Sequence, residues 1–247
     1  MDVVFLGTNG WYDTQTGNTL CVLLKTRDYD IVLDAGNGFA KLARYVDGTK
    51  PVYLFLSHLH LDHVLGLHTL LKFDFKKGLK ICAGAGARRD LGRLLRRPFT
   101  VPLKKLRYSA EVLELPSQLK KIPFKCACLP LLHSGPVMGY RFELDGAAVA
   151  FCTDTGYCAN SVQLAAGADL LISECSLLRG KGRSGWPHMN PRTAAALARA
   201  AGARRLALVH FDPVIYPKAG DRAKAAALAR KTFRNVFTAR DGLRIKI

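Results

Sequence analysis

Six consecutive residues, His58–Leu59–His60–Leu61–Asp62–His63, gather three imidazoles and a carboxylate at the end of an apolar run, and few folds can accommodate that. The preceding Val52–Tyr53–Leu54–Phe55–Leu56 is β-prone and of strand length. Residues two apart in an extended chain point to the same side, so His58 and His60 leave the strand end together. From Asp62 onward, Val64, Leu65, Leu67, Leu70 and Leu71 recur at helical spacing. That places Asp62 and His63 in a helix's first turn, where an anionic side chain suits the positive helix end. A strand running into a helix start thus converges donors that zinc, manganese and iron accept. Surface histidines would not be expected to alternate with leucine after a buried strand. A structural zinc usually closes with four ligands and favours cysteine, and the cluster contains none.

Histidine is scarce, with seven in 247 residues, yet five fit one scheme. Apolar runs repeatedly end on a ligand-type residue: His58 and His60 after Leu56, His133 after Leu129, Asp154 after Ala147–Cys152, Glu174 after Leu170–Ser173, and His210 after Leu206–Val209. Ligands at the ends of adjacent strands would meet at one sheet edge. His68 falls inside the helix after the cluster and reads as structural. Asp34, at the end of Ile31–Leu33, fits two roles, a buttress behind a ligating histidine or the cap of a helix over Phe39–Val46.

Other local signals fill in the scaffold. Asp145–Gly146 is a hairpin turn between Tyr140–Leu144 and Ala147–Cys152. Asn190 and Pro191 open a helix as N-cap and first residue, and Gly202 stops it. An Arg-rich helix is expected over Ala87–Arg97, a last helix over Asp221–Phe233 and a closing strand over Leu243–Ile247. No stretch has linker composition, so a single domain over residues 1–247 is expected.

Composition narrows the setting. With 49% apolar residues the chain can form a substantial core. No apolar run approaches the roughly 20 residues of a spanning helix, and Met1–Asp2–Val3–Val4–Phe5 lacks the basic start of a secretory signal. A cytoplasmic protein without a membrane partner is the expectation. The seven cysteines are scattered, without a Cys-x-x-Cys pair, and read as reduced core thiols. Cys126 and Cys128 share a strand face, where a second metal or redox role is the lesser alternative. The net charge of +18 is concentrated in residues 76–125 (+11) and 191–247 (+10). Such blocks attract anions, phosphodiesters and nucleic acid among them, or simply form a solvated surface.

Taken together, Leu6–Gly7–Thr8, Asp34–Ala35–Gly36, the His58–His63 cluster, His133, Gly139–Tyr140–Arg141, Asp154–Thr155, Glu174, His188 before an Ala-rich helix, and His210–Phe211 resemble the metallo-β-lactamase-fold hydrolases, most closely the ribonuclease Z-like phosphodiesterases. The resemblance implies an α/β four-layer αβ/βα sandwich with two divalent metal ions, zinc foremost with manganese or iron as alternatives. His58, His60 and His133 would hold one ion, Asp62, His63 and His210 the other, and Asp154 would bridge them. Two such ions generate a metal-bound hydroxide near neutral pH and clamp substrate oxygens. By the same resemblance Asp62, Glu174 and His188 are the catalytic candidates, the last two assisting proton transfer to the leaving oxygen. The expected activity is therefore that of a phosphodiesterase on an anionic phosphodiester. A ribonuclease Z-like endonuclease and a lactonase or thioesterase of the same fold are the alternatives, with a non-catalytic metal- or nucleic-acid-binding module last. Only 20 residues separate His133 from Asp154, where ribonuclease Z inserts its tRNA-gripping arm, and Gly156–Tyr157 stands where that family often has Arg-Pro. Both departures leave the metal chemistry intact and put tRNA in doubt.

Overall fold

The computed structural model describes residues 1–180, 182–183 and 185–247. Among these described residues fifteen strands follow in chain order. The first six are β1 (Asp2–Gly7), β2 (Cys21–Lys25), β3 (Asp30–Leu33), β4 (Val52–Phe55), β5 (Leu79–Gly84) and β6 (Ala110–Leu115). They are joined by the last strand in a seven-stranded mixed sheet ordered β15-β1-β2-β3-β4-β5-β6, β15 being Arg244–Lys246. Next come β7 (Lys125–Pro130), β8 (Met138–Leu144), β9 (Ala147–Cys152) and β10 (Leu170–Glu174), then the hairpin of β11 (Gly182–Arg183) and β12 (Trp186–Pro187), then β13 (Leu206–Val209) and β14 (Val236–Thr238). The second sheet is ordered β14-β13-β10-β9-β8-β7.

The central strands, β3, β4, β10 and β13 among them, are buried throughout because both faces of the sheets are covered there. Alternate residues of each strand go to opposite faces. Val3, Phe5, Val22, Phe55, Tyr140, Phe142, Phe151 and Ile172 fill the space between the sheets. Val4, Leu6, Leu23, Leu54 and Ile81 face outward beneath Phe39, Leu67 and Leu91. The outer face of the second sheet packs Ala150, Leu171 and Leu208 against three helices, α3 (Ala159–Ala165), α4 (Pro191–Ala200) and α5 (Ala219–Arg230). The expected four-layer αβ/βα sandwich is therefore present. Among the described residues no helix is long and apolar enough to cross a membrane.

Strands β3 to β6 are parallel, as are β9, β10, β13 and β14. Chain crossing back between parallel strands leaves loops at their carboxyl ends, where open α/β sheets gather their chemistry. Asp34, His58, Asp154, Glu174 and His210 all stand at such ends.

Several elements differ from expectation, among them the segment expected as a helix over Phe39–Val46, which is 3₁₀ over Asn37–Arg44, and the last helix, which runs Ala219–Arg230 instead of Asp221–Phe233. The helix after the histidine cluster is one α-turn, α1 (Leu61–Val64), continued as 3₁₀ from Leu65 to Lys72. Gly66 is the reason: its N–H donates to Ala35 O at 2.8 Å instead of continuing the helix, and a Cβ there would lie 2.2 Å from Gly36 O. The Arg-rich helix, α2 (Ala87–Leu94), ends before Arg96 and Arg97. Strand β14 has no periodic signal in its three residues and exists through parallel pairing with β13. The Asp145–Gly146 turn follows expectation, with φ of +52° and +78°, as does α4, whose Asn190 side chain accepts from the N–H groups of Arg192 and Thr193.

Candidate metal centre

The strand ends bring seven side chains to one edge. His58, His60, His133 and Asp154 offer one donor atom each within 4.8 Å of one another, and so do Asp62, His63 and His210. His133, like His58, lies three residues beyond the end of its strand, here β7, and its loop brings it to the group.

Four of the five imidazoles, those of His58, His63, His133 and His210, are held by Nδ1, and the partners assign the tautomer. His63 Nδ1 donates to Asp34 Oδ2 at 2.7 Å. His133 Nδ1 faces Pro187 O at 3.4 Å. Ser176 Oγ gives its hydrogen to His210 O and accepts from His210 Nδ1, both at 2.9 Å. Ser57 Oγ gives its hydrogen to Asp34 Oδ2 at 2.8 Å and accepts from His58 Nδ1 at 3.0 Å. With Nδ1 protonated, the Nε2 of each of these four presents a lone pair to the centre, the arrangement outer partners impose on ligating histidines. His58 Nε2 and His133 Nε2 are buried without any hydrogen-bond partner, a costly state unless a ligand completes them. Asp34 thus serves as the buttress and not as a helix cap, since no side chain caps the 3₁₀ segment Asn37–Arg44.

The second group is tighter. His63 Nε2 and His210 Nε2 are 3.1 Å apart, each lies 3.3 Å from Asp62 Oδ2, and Asp154 Oδ1 is 3.3 and 3.2 Å from them. Ligands at a zinc distance of about 2.0 Å in tetrahedral array are separated by about 3.3 Å, so these contacts trace five edges of a ligand tetrahedron. The other oxygen of Asp154 is 3.8 Å from His58 Nε2 and 4.0 Å from His133 Nε2, so one carboxylate spans both groups. The donor set fits divalent metal ions by atom type, spacing and unsatisfied lone pairs.

Electrostatics favour a cation. Burial opposes charge on His63 and His210, but Asp154 foremost, with Asp62, outweighs it and raises both pKa values. Burial likewise opposes charge on Asp62 and Asp154, and the His63 and His210 imidazoles hold both carboxyls below their ordinary range. Burial dominates at His58, His60 and His133 and keeps them below theirs. Backbone strain collects here too: Asp34, Asp154, His210 and Trp11 adopt positive φ between +47° and +59°, costs that cluster at functional sites.

Glu174 is fully buried and satisfied by the N–H groups of Thr155 at 2.5 Å and Met189 at 3.2 Å and by His188 Nδ1 at 2.9 Å. It therefore stands behind His188, not in the cleft. Burial works against a charge on His188, but Glu174 overrides it and raises the pKa to about 9. His188 also lies within ligand reach of Asp154 and His210.

His68 is exposed and bonds Leu65 O at 2.6 Å, outside the centre. Cys126 and Cys128 are free, and both pack against the core between the sheets. Ser57 and Ser176 escaped the sequence reading; Ser57 adjoins His58, but nothing in sequence marks Ser176. The stretch between His133 and Asp154 is taken up by β8, its turn and β9.

Residues 29–211 match the β-lactamase superfamily domain. The chain is 28% identical over 222 residues to the probable metallo-hydrolase YhfI of Bacillus subtilis, covering 85% of this chain and 87% of that protein. The crystal structure of YhfI superposes with a TM-score of 0.81 at 24% identity, over 99% of this chain and 98% of that one. Ribonuclease Z of Acaryochloris marina is 26% identical, covering 88% of each chain. That alignment runs over 280 positions, more than this chain has residues, so the relative carries inserted segments. A diphosphatase of the PhnP family shares the fold with a TM-score of 0.76 at 16% identity, over 100% of this chain and 97% of that one.

Proposed function

The chain belongs to the β-lactamase superfamily, and from that premise we propose that it is a metal-dependent hydrolase of phosphodiesters, working as one domain over residues 1–247. His58, His60 and His133 would hold one divalent ion, Asp62, His63 and His210 a second, and Asp154 would be shared, with zinc the best match to the donors. Bound there, such ions supply Lewis acidity, polarising the phosphoryl oxygens and making water acidic enough to attack near neutral pH.

The chain's own groups do the rest. Asp62 has 15% of its side chain exposed, against 4% for Asp154, so it is the carboxylate placed to take a proton from attacking water. His188, kept cationic by Glu174, is placed to give a proton to the leaving oxygen, and Glu174 fixes its ring and its charge. That pair is the observation that carries the phosphodiester reading, because an alkoxide leaving from phosphorus needs a proton. Names among the relatives, ribonuclease Z and a diphosphatase, support phosphorus chemistry without fixing the substrate.

Metal analysis of the purified protein, with a panel of phosphodiester and ester substrates, tests it. Asp62→Ala and His188→Ala should each lower diester turnover, His188→Ala by about 10²–10⁴-fold as for loss of a general acid. Substoichiometric metal with no diesterase activity after reconstitution would overturn the reading, and ester turnover indifferent to His188→Ala would favour a lactonase or thioesterase.

A nuclease is the second reading, favoured by one surface. A groove of about 530 Å³ between α2 and β6 is lined by Arg88, Arg96 and Lys104. Arg97 and Lys105 are also exposed, as is Phe99 at 70%. RNA affinity falling steeply with salt, at a slope of several phosphate contacts, would support it.

A further inference from the structure

The chain has two tryptophans, and both stand at the mouth of the metal centre. Trp186 stacks on the His60 imidazole, with ring centroids 5.3 Å apart and planes inclined by 26°, and meets His133 edge-on at 5.4 Å. Half of its surface nevertheless remains in solvent. Trp11 stands at the other group, where its backbone N–H donates to Asp62 Oδ2 at 2.8 Å while the residue as a whole is 67% exposed.

Trp11 has a φ of +59°, unfavourable for so bulky a residue, and the loop beneath it shows what maintains it. The buried guanidinium of Arg222, from α5, donates to Asn9 Oδ1, to Thr8 Oγ1 at 3.1 Å and to Thr16 Oγ1 at 3.0 Å, and lies over the Phe211 ring at 4.8 Å. Asp13 accepts from Thr19 N at 2.6 Å, Asn18 Nδ2 at 2.9 Å and Asn37 Nδ2 at 2.8 Å. Gly10 packs under His210 so closely that a Cβ would lie 2.5 Å from its ring. The base of the loop is pinned and its aromatic tip is left in water. Tyr157 and Leu132, 47% and 51% exposed, extend the apolar rim beside Asp154 and His133. Large rings left in solvent around a chemically armed cleft mark a ligand surface.

We infer that Trp11 and Trp186 form a stacking rim for the planar ring of the substrate, and that this ring is a nucleobase, which makes the substrate a nucleotide-type phosphodiester. The inference rests on the phosphodiester reading for where the phosphate sits; the rings stand independently of it. Indoles recognise the face of a base and not its edge, so the rim favours nucleotides over sugar phosphates with little choice among bases.

Tryptophan fluorescence reports on these two rings alone. Titrating the metal-loaded protein with adenosine 5′-monophosphate should quench it saturably, while ribose 5-phosphate, with the same phosphate and no base, should bind more weakly and quench little. By calorimetry, Trp11→Ala and Trp186→Ala should weaken nucleotide binding on the order of ten-fold each and leave ribose 5-phosphate unchanged. Trp186→Phe should keep the affinity and lose its share of the signal. Equal affinities for the two ligands, or alanine variants that bind the nucleotide like the wild type, would overturn the inference. Base-dependent quenching without diester turnover would remove the hydrolytic reading and keep this one, whereas turnover with no preference for a base would do the reverse.

Discussion

Asp34→Asn offers a test of the centre through a residue that touches no metal. Asp34 is fully buried. Its Oδ1 accepts from Ser57 N at 2.7 Å, and its Oδ2 accepts from Ser57 Oγ at 2.8 Å and His63 Nδ1 at 2.7 Å. Asparagine tolerates the +57° φ of this position better than most residues do, so the backbone should stay. If the amide oxygen keeps the Ser57 N–H, the amide NH₂ replaces Oδ2 and donates. His63 Nδ1 must then be unprotonated, which moves the ring proton to Nε2, the atom that faces Asp62, Asp154 and His210. Ser57 Oγ becomes an acceptor from the amide and turns its hydrogen towards His58 Nδ1, 3.0 Å away, so His58 Nε2 also gains a proton.

One atom change therefore puts hydrogens on a donor in each ligand group. Each polar atom that Asp34 bonds keeps a partner, and His58 Nε2 has none in either protein, so the metal-free variant should unfold within about 1 kcal/mol of the wild type. Binding metal requires reversing the network, and affinity should fall about 10–100-fold, or about 1.4–2.8 kcal/mol, at both positions. Ser57→Ala should weaken only the group containing His58. Chelator-competition titrations and urea unfolding of the metal-free proteins give the two numbers. An Asp34→Asn protein that loads metal like the wild type, or that weakens one position and spares the other, would refute the relay.

Substitutions at three other positions have expected outcomes. Glu174→Gln should move the alkaline limb of the diester kcat/KM profile to lower pH, because His188 loses the partner that raises its pKa to about 9. The sign also reaches stability: a pKa raised from about 6.5 contributes fully below that value and is lost as pH rises through about 9. Melting temperatures should accordingly fall between pH 7 and 9 in the wild type more than in the variant. Gly66→Ala should cost about 1–3 kcal/mol or more in urea unfolding, since its Cβ would meet Gly36 O at 2.2 Å. Gly92→Ala, in the middle of α2 with nothing within 4 Å, should stabilise by about 0.4–1 kcal/mol; equal effects of the two would show that Gly66 is not where the helix is broken.

Much of this protein is written locally in its sequence. Apolar runs of strand length, the Asp145–Gly146 turn, the Asn190–Pro191 helix start and the alternation of His58 and His60 each depend on neighbours a few residues away, so period and turn chemistry reveal them. The recurrence of ligand-type residues after apolar strands collects His58, His60, His133, Asp154, Glu174 and His210 without any distance, and the six-residue cluster adds Asp62 and His63. Local pattern fails where a distant backbone intervenes: the helical spacing after Asp62 is real, but Gly66 bonds Ala35 instead, and β14 exists because β13 offers an edge. Sequence left Asp34 between two roles because both use the same carboxylate, and packing against His63 decides it. The contact between His63 and His210, 147 residues apart, is set by how two sheets align their carboxyl edges. That alignment also sets the tetrahedral spacing, the orientation of His58, His63, His133 and His210 by their Nδ1 partners, and the exposure of Trp11 and Trp186. Residue types fix which donors the chain owns; only tertiary packing fixes the few ångströms between them, on which ligation depends.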